Sequence, residues 1–137
     1  HRTIFNLLGP LTNPANVQKQ LIGVFDSSFI QKIAYSLQIN QATSAMVVSS
    51  LDGMDEISIS APTNFALLKD NNISIGEINP NHFGMKLSSL DAIKGGDKNY
   101  NAQLMNNILS GKIDDSRRDI VLLNASAGLM VDGMARD

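Results

Sequence analysis

Leu21-Ile22-Gly23-Val24-Phe25 and Ala45-Met46-Val47-Val48, with the segment from Ser27 to Leu37 between them, decide the fold. Both apolar runs are short, bounded by polar residues, and of the length that suits buried strands. Between them Phe29, Ile30, Ile33, Ala34 and Leu37 recur at helical spacing, and Ser27 or Ser28 is placed to cap the first turn by accepting from its free N–H groups. Strand, helix, strand in this order predicts a crossover that lays two parallel strands in one sheet.

Downstream the rhythm changes. Ile57, Ile59 and Ala61 alternate with serines and stop at Pro62, which predicts a strand of period two. Phe65-Ala66-Leu67-Leu68 predicts another, and Asn71-Asn72 turns the chain into Ile73-Ser74-Ile75. No helix fits between these segments, so their pairings are expected to be antiparallel. The fold class is therefore α/β, with a mixed, mostly parallel sheet flanked by helices.

Upstream, Leu7-Leu8-Gly9-Pro10-Leu11-Thr12-Asn13-Pro14 carries two prolines, each biasing the residue before it away from helix, and reads as an ordered loop. Past the strands, 79–84 reads as a loop, and Ser88 opens a short helix ending at Gly95-Gly96. Asp97 or Asn99 then precedes a helix to about Ser110, with Ala102, Met105, Ile108 and Leu109 inward and Gly111 as terminator. The stretch from Asp119 to about Met134 reads as a last helix, on the spacing of Ile120, Leu123, Ala127, Met130 and Val131.

A chain of 137 residues with a 43% apolar share suits one domain with one core. The net charge of −2 comes with scattered basic residues, whereas a chain that tracks nucleic acid concentrates them on one face. With no cysteine there is no disulfide, thiolate nucleophile or Cys-based zinc site. No apolar run approaches the roughly 20 residues that cross a bilayer, and no signal-peptide pattern opens the chain. A soluble, cytoplasmic protein is expected. The first residue is His1, and the opening residues read as mid-protein sequence, so a piece of a longer chain is expected.

The most chemical-looking stretch is Asp52-Gly53-Met54-Asp55-Glu56. Three carboxylates at a strand end, with a glycine hinge, make a hard-oxygen site suited to Mg²⁺. On a regular strand Asp55 and Glu56 would point to opposite faces, so joint use on one ion requires a turn. The same residues also read as a plain solvated acidic turn. Arg2 lies beside a stiff, proline-rich segment, where a guanidinium suits two-point capture of a carboxylate or phosphate; most lone arginines are simply surface groups. Gly95-Gly96-Asp97 lacks the Lys-Ser or Lys-Thr of a phosphate loop and reads as a turn between helices. Asp114-Asp115 and Arg117-Arg118 read as a solvated connection, and His1 and His82 as surface histidines. No side chain stands out as a catalytic acid, base or nucleophile.

The stretch Arg2-Thr3-Ile4-Phe5-Asn6-Leu7-Leu8-Gly9-Pro10-Leu11-Thr12-Asn13-Pro14 closely resembles a signature of anthranilate phosphoribosyltransferases. Three further likenesses follow in that family's order: Asp52-Gly53-Met54-Asp55-Glu56, Gly95-Gly96 with Asn101-Ala102, and Leu123-Asn124-Ala125. The resemblance runs over nearly the whole chain. It implies that residues 1–137 are part of the large α/β catalytic domain. The helical domain, the Gly-Thr-Gly-Gly-Asp donor loop and the Lys-His-Gly-Asn segment would then lie before position 1.

The resemblance also implies a reaction. The amine of anthranilate displaces pyrophosphate from C1 of phosphoribosyl pyrophosphate, in tryptophan biosynthesis. It assigns Arg2 to the anthranilate carboxylate, Asp55 and Glu56 to Mg²⁺ held with the donor's pyrophosphate, and a homodimer to the complete protein. The segment alone is expected to be inactive. Three departures stand out: His1 where a glycine is usual, Ser49-Ser50 for a His-Gly pair, and Ser126 with Gly128 in an alanine-rich helix. They leave Arg2, Asp55 and Glu56 in place. Alternatives within reach are a pyrimidine nucleoside phosphorylase-like enzyme, a non-catalytic nucleic-acid-binding paralogue, and an inert structural module.

Overall fold

The computed structural model describes residues 5–135. A four-stranded sheet in the order β1-β2-β3-β4 forms its middle layer, from β1 (Lys19–Gly23), β2 (Ser44–Ser50), β3 (Thr63–Lys69) and β4 (Asn72–Ile78). β1 and β2 run parallel, with Ile22 opposite Val47 and Gly23 opposite Val48. The N–H of Val24 extends this ladder by donating to the carbonyl of Val48 at 2.8 Å. β2–β3 and β3–β4 are antiparallel, so the sheet is mixed, but the expectation that it is mostly parallel is corrected. The physical reason is connection length: Asp70-Asn71 allows only a tight hairpin, and both residues take positive φ there.

Side-chain alternation along β2 builds two cores. Ala45 and Val47 face α2 (Ile30–Ile39), where Ile30, Ile33, Ala34 and Leu37 join Ile22, Ala66 and Leu68. Met46 and Val48 face α4 (Ser116–Asp132), where Ile120, Leu123, Ala127 and Val131 meet Ile57 and Ile59. Six consecutive buried residues in β2 reflect cover on both faces, the environment that the crossover requires. Lys19 ties the start of β1 to the end of α4 through the Asp132 carboxylate at 3.1 Å. The helix stops at Gly133, whose φ of 87° is left-handed, with its N–H on the Leu129 carbonyl.

Several expectations are corrected. The predicted loop over 7–14 contains the end of a helix, α1 (Phe5–Leu11), with Pro10 near its last turn. A proline so close to the end removes only one intrahelical donor, and the Thr12 N–H and hydroxyl both close the turn on the Leu8 carbonyl. The cap before α2 is Asp26, which accepts from the Ser28 N–H and opens a 3-10 turn, Ser27–Phe29, ahead of the helix. Ile57 to Ala61 is not a strand, although Ile57 and Ile59 are buried. The helix expected after Ser88 is a 3-10 turn at Leu90–Ile93. In α3 (Lys98–Leu109), capped by Asp97 as expected, no residue is fully buried. Ala102 is exposed, and Met105 and Leu109 are 63% and 76% exposed rather than inward, because no described element packs over them.

These two cores predict contrasting substitutions. Leu68→Ala, fully buried beneath α2, should cost about 2–5 kcal/mol. Ile39→Ala, at an exposed helix end, should stay within about 0.5 kcal/mol. Urea unfolding followed by circular dichroism measures both, and equal losses would contradict the assignment of the core.

Candidate active site

In open α/β sheets ligands gather beyond the carboxyl ends of parallel strands. The chain leaving the carboxyl end of β2 enters the acidic stretch at once. Gly53 takes a φ of +89°, its N–H donates to the Ser50 carbonyl, and the Ser50 N–H returns to the Met54 carbonyl at 3.0 Å. The stretch is therefore a turn, as joint use of Asp55 and Glu56 requires.

Asp52 is occupied inside that turn. Its carboxylate accepts from the Ser58 hydroxyl at 2.5 Å, from the Ser60 hydroxyl, and from the Met54 N–H at 3.1 Å. Burial by itself would raise its pKa, but the hydroxyls of Ser58, Ser60 and Ser50 and the Met54 N–H favour the anion and hold the carboxyl below its usual range. The alternation after Glu56 thus has a different meaning from a strand: isoleucines enter the core while serines serve Asp52. The backbone partners there are side chains too. Ser58 N–H donates to the Thr63 hydroxyl, and Ile57 pairs with Asn124.

Asp55 and Glu56 are exposed, and no ion pair holds either among the described residues. Partial desolvation, then the neighbouring Asp55 charge, pushes the Glu56 carboxyl above its ordinary value. Two neighbouring carboxylates with no cationic partner among the described residues would gain from a shared cation. Among the described residues no group of three or more His, Asp or Glu side chains forms a complete metal cage. Mg²⁺ is commonly held by one or two carboxylates together with substrate phosphates and water, and a carboxylate pair fits the protein's share of such a site.

Two residues that set this turn had no role assigned from the sequence, although Asn124 belongs to the Leu123-Asn124-Ala125 likeness. A Cβ on Gly23 would lie 1.5 Å from the Asp55 carbonyl oxygen and 2.4 Å from its carbon. Only a glycine lets the turn rest on the end of β1, and a glycine inside an apolar run is the signal for such an approach. The second is Asn124, a polar residue on the inner side of α4, whose amide bonds Ile57. Arg2, the predicted carboxylate anchor, lies outside the described residues.

Other motifs resolve as structure. The Asn101 side chain accepts from the Gly96 N–H and donates to its carbonyl, closing the glycine pair as a turn. Asp115 caps α4 and pairs with Arg117 at 2.5 Å, while Asp114 pairs with Arg118, so the expected solvated connection is a helix cap. A cleft of about 350 Å³, touched by Asn13, Asn16, Gln20 and Asn40, lies beside the amino end of β1, away from the acidic turn. No helix among the described residues is long and apolar enough to cross a membrane.

With that geometry in view, the profile of a glycosyl transferase family, a/b domain, matches residues 1–137. The chain belongs to this family. It is 47% identical over 134 residues to an anthranilate phosphoribosyltransferase of Rhodopseudomonas palustris, covering 98% of this chain and 39% of that one. Among solved structures, the anthranilate phosphoribosyltransferase of Thermus thermophilus superposes with a TM-score of 0.86 at 32% identity, over 100% of this chain and 40% of its own. The Saccharomyces cerevisiae enzyme in complex with 4-fluoroanthranilate gives 0.82 at 26%, over 97% and 39%. The chain spans about two fifths of the length of the curated relatives that it matches.

Gly23→Ala is expected to cost about 1–3 kcal/mol through overpacking and to displace the backbone at Asp55. Thermal melts and hydrogen exchange at residues 53–57 check this. A variant with wild-type stability and wild-type exchange in the turn would refute the close approach.

Proposed function

We propose that the protein carrying this segment transfers the phosphoribosyl group of phosphoribosyl pyrophosphate to the amine of anthranilate, in tryptophan biosynthesis, and that Asp55 and Glu56 hold Mg²⁺ together with the donor's pyrophosphate. The observation that carries this reading is a pair of exposed carboxylates, with no ion pair among the described residues, on a turn at the carboxyl end of β2, in a chain whose relatives are named anthranilate phosphoribosyltransferase. In that reading residues 1–137 supply part of the catalytic domain, and upstream residues supply the donor loop and the helical domain. The 137 residues alone are then expected to lack turnover. The same reading makes the complete protein a cytoplasmic homodimer.

The chemistry asks for little beyond position and charge. A C–N bond forms at the ribose C1, the C1–O bond to pyrophosphate breaks, and the amine releases one proton. Mg²⁺ supplies charge neutralisation at the departing pyrophosphate, where anionic charge grows most in the transition state. Asp55 and Glu56 contribute by fixing where that neutralisation occurs, and a turn anchored on the sheet keeps the pair in place. An aromatic amine is neutral and nucleophilic at pH 7, so the absence of any conspicuous catalytic base from the sequence reading fits. Arg2 is the group proposed to receive the anthranilate carboxylate. The complex of the yeast relative with 4-fluoroanthranilate supports an aromatic acid as acceptor.

The test is an assay of the complete protein with anthranilate and phosphoribosyl pyrophosphate. The double variant Asp55→Asn, Glu56→Gln should lose the response of rate to Mg²⁺, and an unaltered titration retires the metal assignment. Arg2→Ala should reduce kcat/KM for anthranilate about 10- to 150-fold, equivalent to about 1.5–3 kcal/mol for a charged hydrogen bond. Unchanged constants would remove Arg2 from the site.

A further inference from the structure

Leu123-Asn124-Ala125 is the motif that the proposed reaction leaves without a task. Ile120, Leu123, Ala127 and Val131 are buried against the sheet, and Asn124 is a polar residue set among them. Its Oδ1 accepts from the Ile57 N–H at 3.0 Å and its Nδ2 donates to the Ile57 carbonyl at 2.8 Å. The second Nδ2 hydrogen is placed on the Ile120 carbonyl, at 3.0 Å, one turn back in the same helix. The side chain thus does for Ile57 what a neighbouring strand would otherwise do. Reversing the amide would set N–H against N–H, so its orientation is determined.

Ile57 follows Glu56 directly and is 1% exposed. Its side chain sits in the core between the sheet and α4, and its backbone is held at two points by α4. The acidic turn is therefore fixed at both ends: on β2 through Ser50 and Met54, and on α4 through Ile57. A helix that needed only to fill the core would place an apolar residue at 124, without desolvating an amide.

We propose that Asn124 is a positioning residue for the Asp55–Glu56 pair. It sets the height and direction at which the chain leaves the core at Glu56, and hence the spacing of two carboxylates that it does not touch. Groups behind the ligands of a metal act in this way, by restricting ligand orientation. The metal half of the proposal rests on the function proposed above; the clamp on the turn does not.

The experiment uses the complete protein with Asn124→Ala and Asn124→Asp. The aspartate keeps an acceptor for the Ile57 N–H but loses the donor to its carbonyl. In both variants the Mg²⁺ concentration at half-maximal rate should rise about 10- to 100-fold, with KM for anthranilate changed less than about twofold on the same argument. Hydrogen exchange should accelerate at residues 54–58 and stay slow in β2 and β3. An unmoved Mg²⁺ midpoint, where Asp55→Asn, Glu56→Gln does move it, overturns the proposal. So does loss of the cooperative melt in both variants, or an anthranilate KM that rises in step with the midpoint. If the carboxylate double variant leaves the Mg²⁺ response intact, the metal reading fails by itself. Exchange at 54–58 then decides for Asn124 alone: fast local exchange upholds the clamp, and wild-type exchange overturns it.

Discussion

The carbonyl of Asp55 occupies space that any side chain at position 23 would claim. This close approach ties the first strand to the acidic turn and accounts for much around it. A glycine inside a strand sacrifices packing and adds backbone freedom to the unfolded chain. Here β1 tolerates that loss because Ile22 and Val24 on either side are buried against α2. The turn gains a platform it could not make from its own residues. Gly53 lets the chain reverse, Asp52 gathers the hydroxyls of Ser58 and Ser60, and the two carboxylates that remain face solvent. The division of labour among three nearby carboxylates follows from where each backbone atom is anchored.

Much of the architecture was legible from hydrophobic spacing. The strand–helix–strand unit and the inner face of α4 appear where the apolar pattern placed them, because each buries its stripe against a regular neighbour. The hairpin falls at Asp70-Asn71, one residue before the expected Asn71-Asn72. One misreading comes from side chains replacing backbone partners. Ile57 to Ala61 alternates like a strand, yet its N–H groups go to Asn124, Thr63 and Ser58 side chains, which no periodicity reports. Pro10 suggested a loop, but its position near a helix end costs only one bond. Asp55 and Glu56 were legible as a pair by their residue type. Their exposure was not, since it depends on Asp52 being the carboxylate that turns inward.

α3 teaches the opposite lesson. Its apolar spacing is real, but Met105 and Leu109 stand in solvent, and the helix is held at its start by Asp97 and by the Asn101 bonds to Gly96. Amphipathic pattern predicts that a face will be covered, without saying by what. Asn101 and Asn124 solve the same problem at two sites. Each uses one planar amide to pair both polar groups of a single peptide-chain residue that lacks a strand beside it.

The clamp of Asn124 on Ile57 joins residues 67 apart along the chain, while β3 and β4 meet across a two-residue hairpin. Closing a long loop costs more entropy than closing a short one, so nearby pairings are favoured early and distant ones late. Assembly is thus expected to finish at the acidic turn, which reaches its working shape only when the last helix docks. Nascent chains paused before residue 116 would carry Asp55 and Glu56 in a hinge still free to swing.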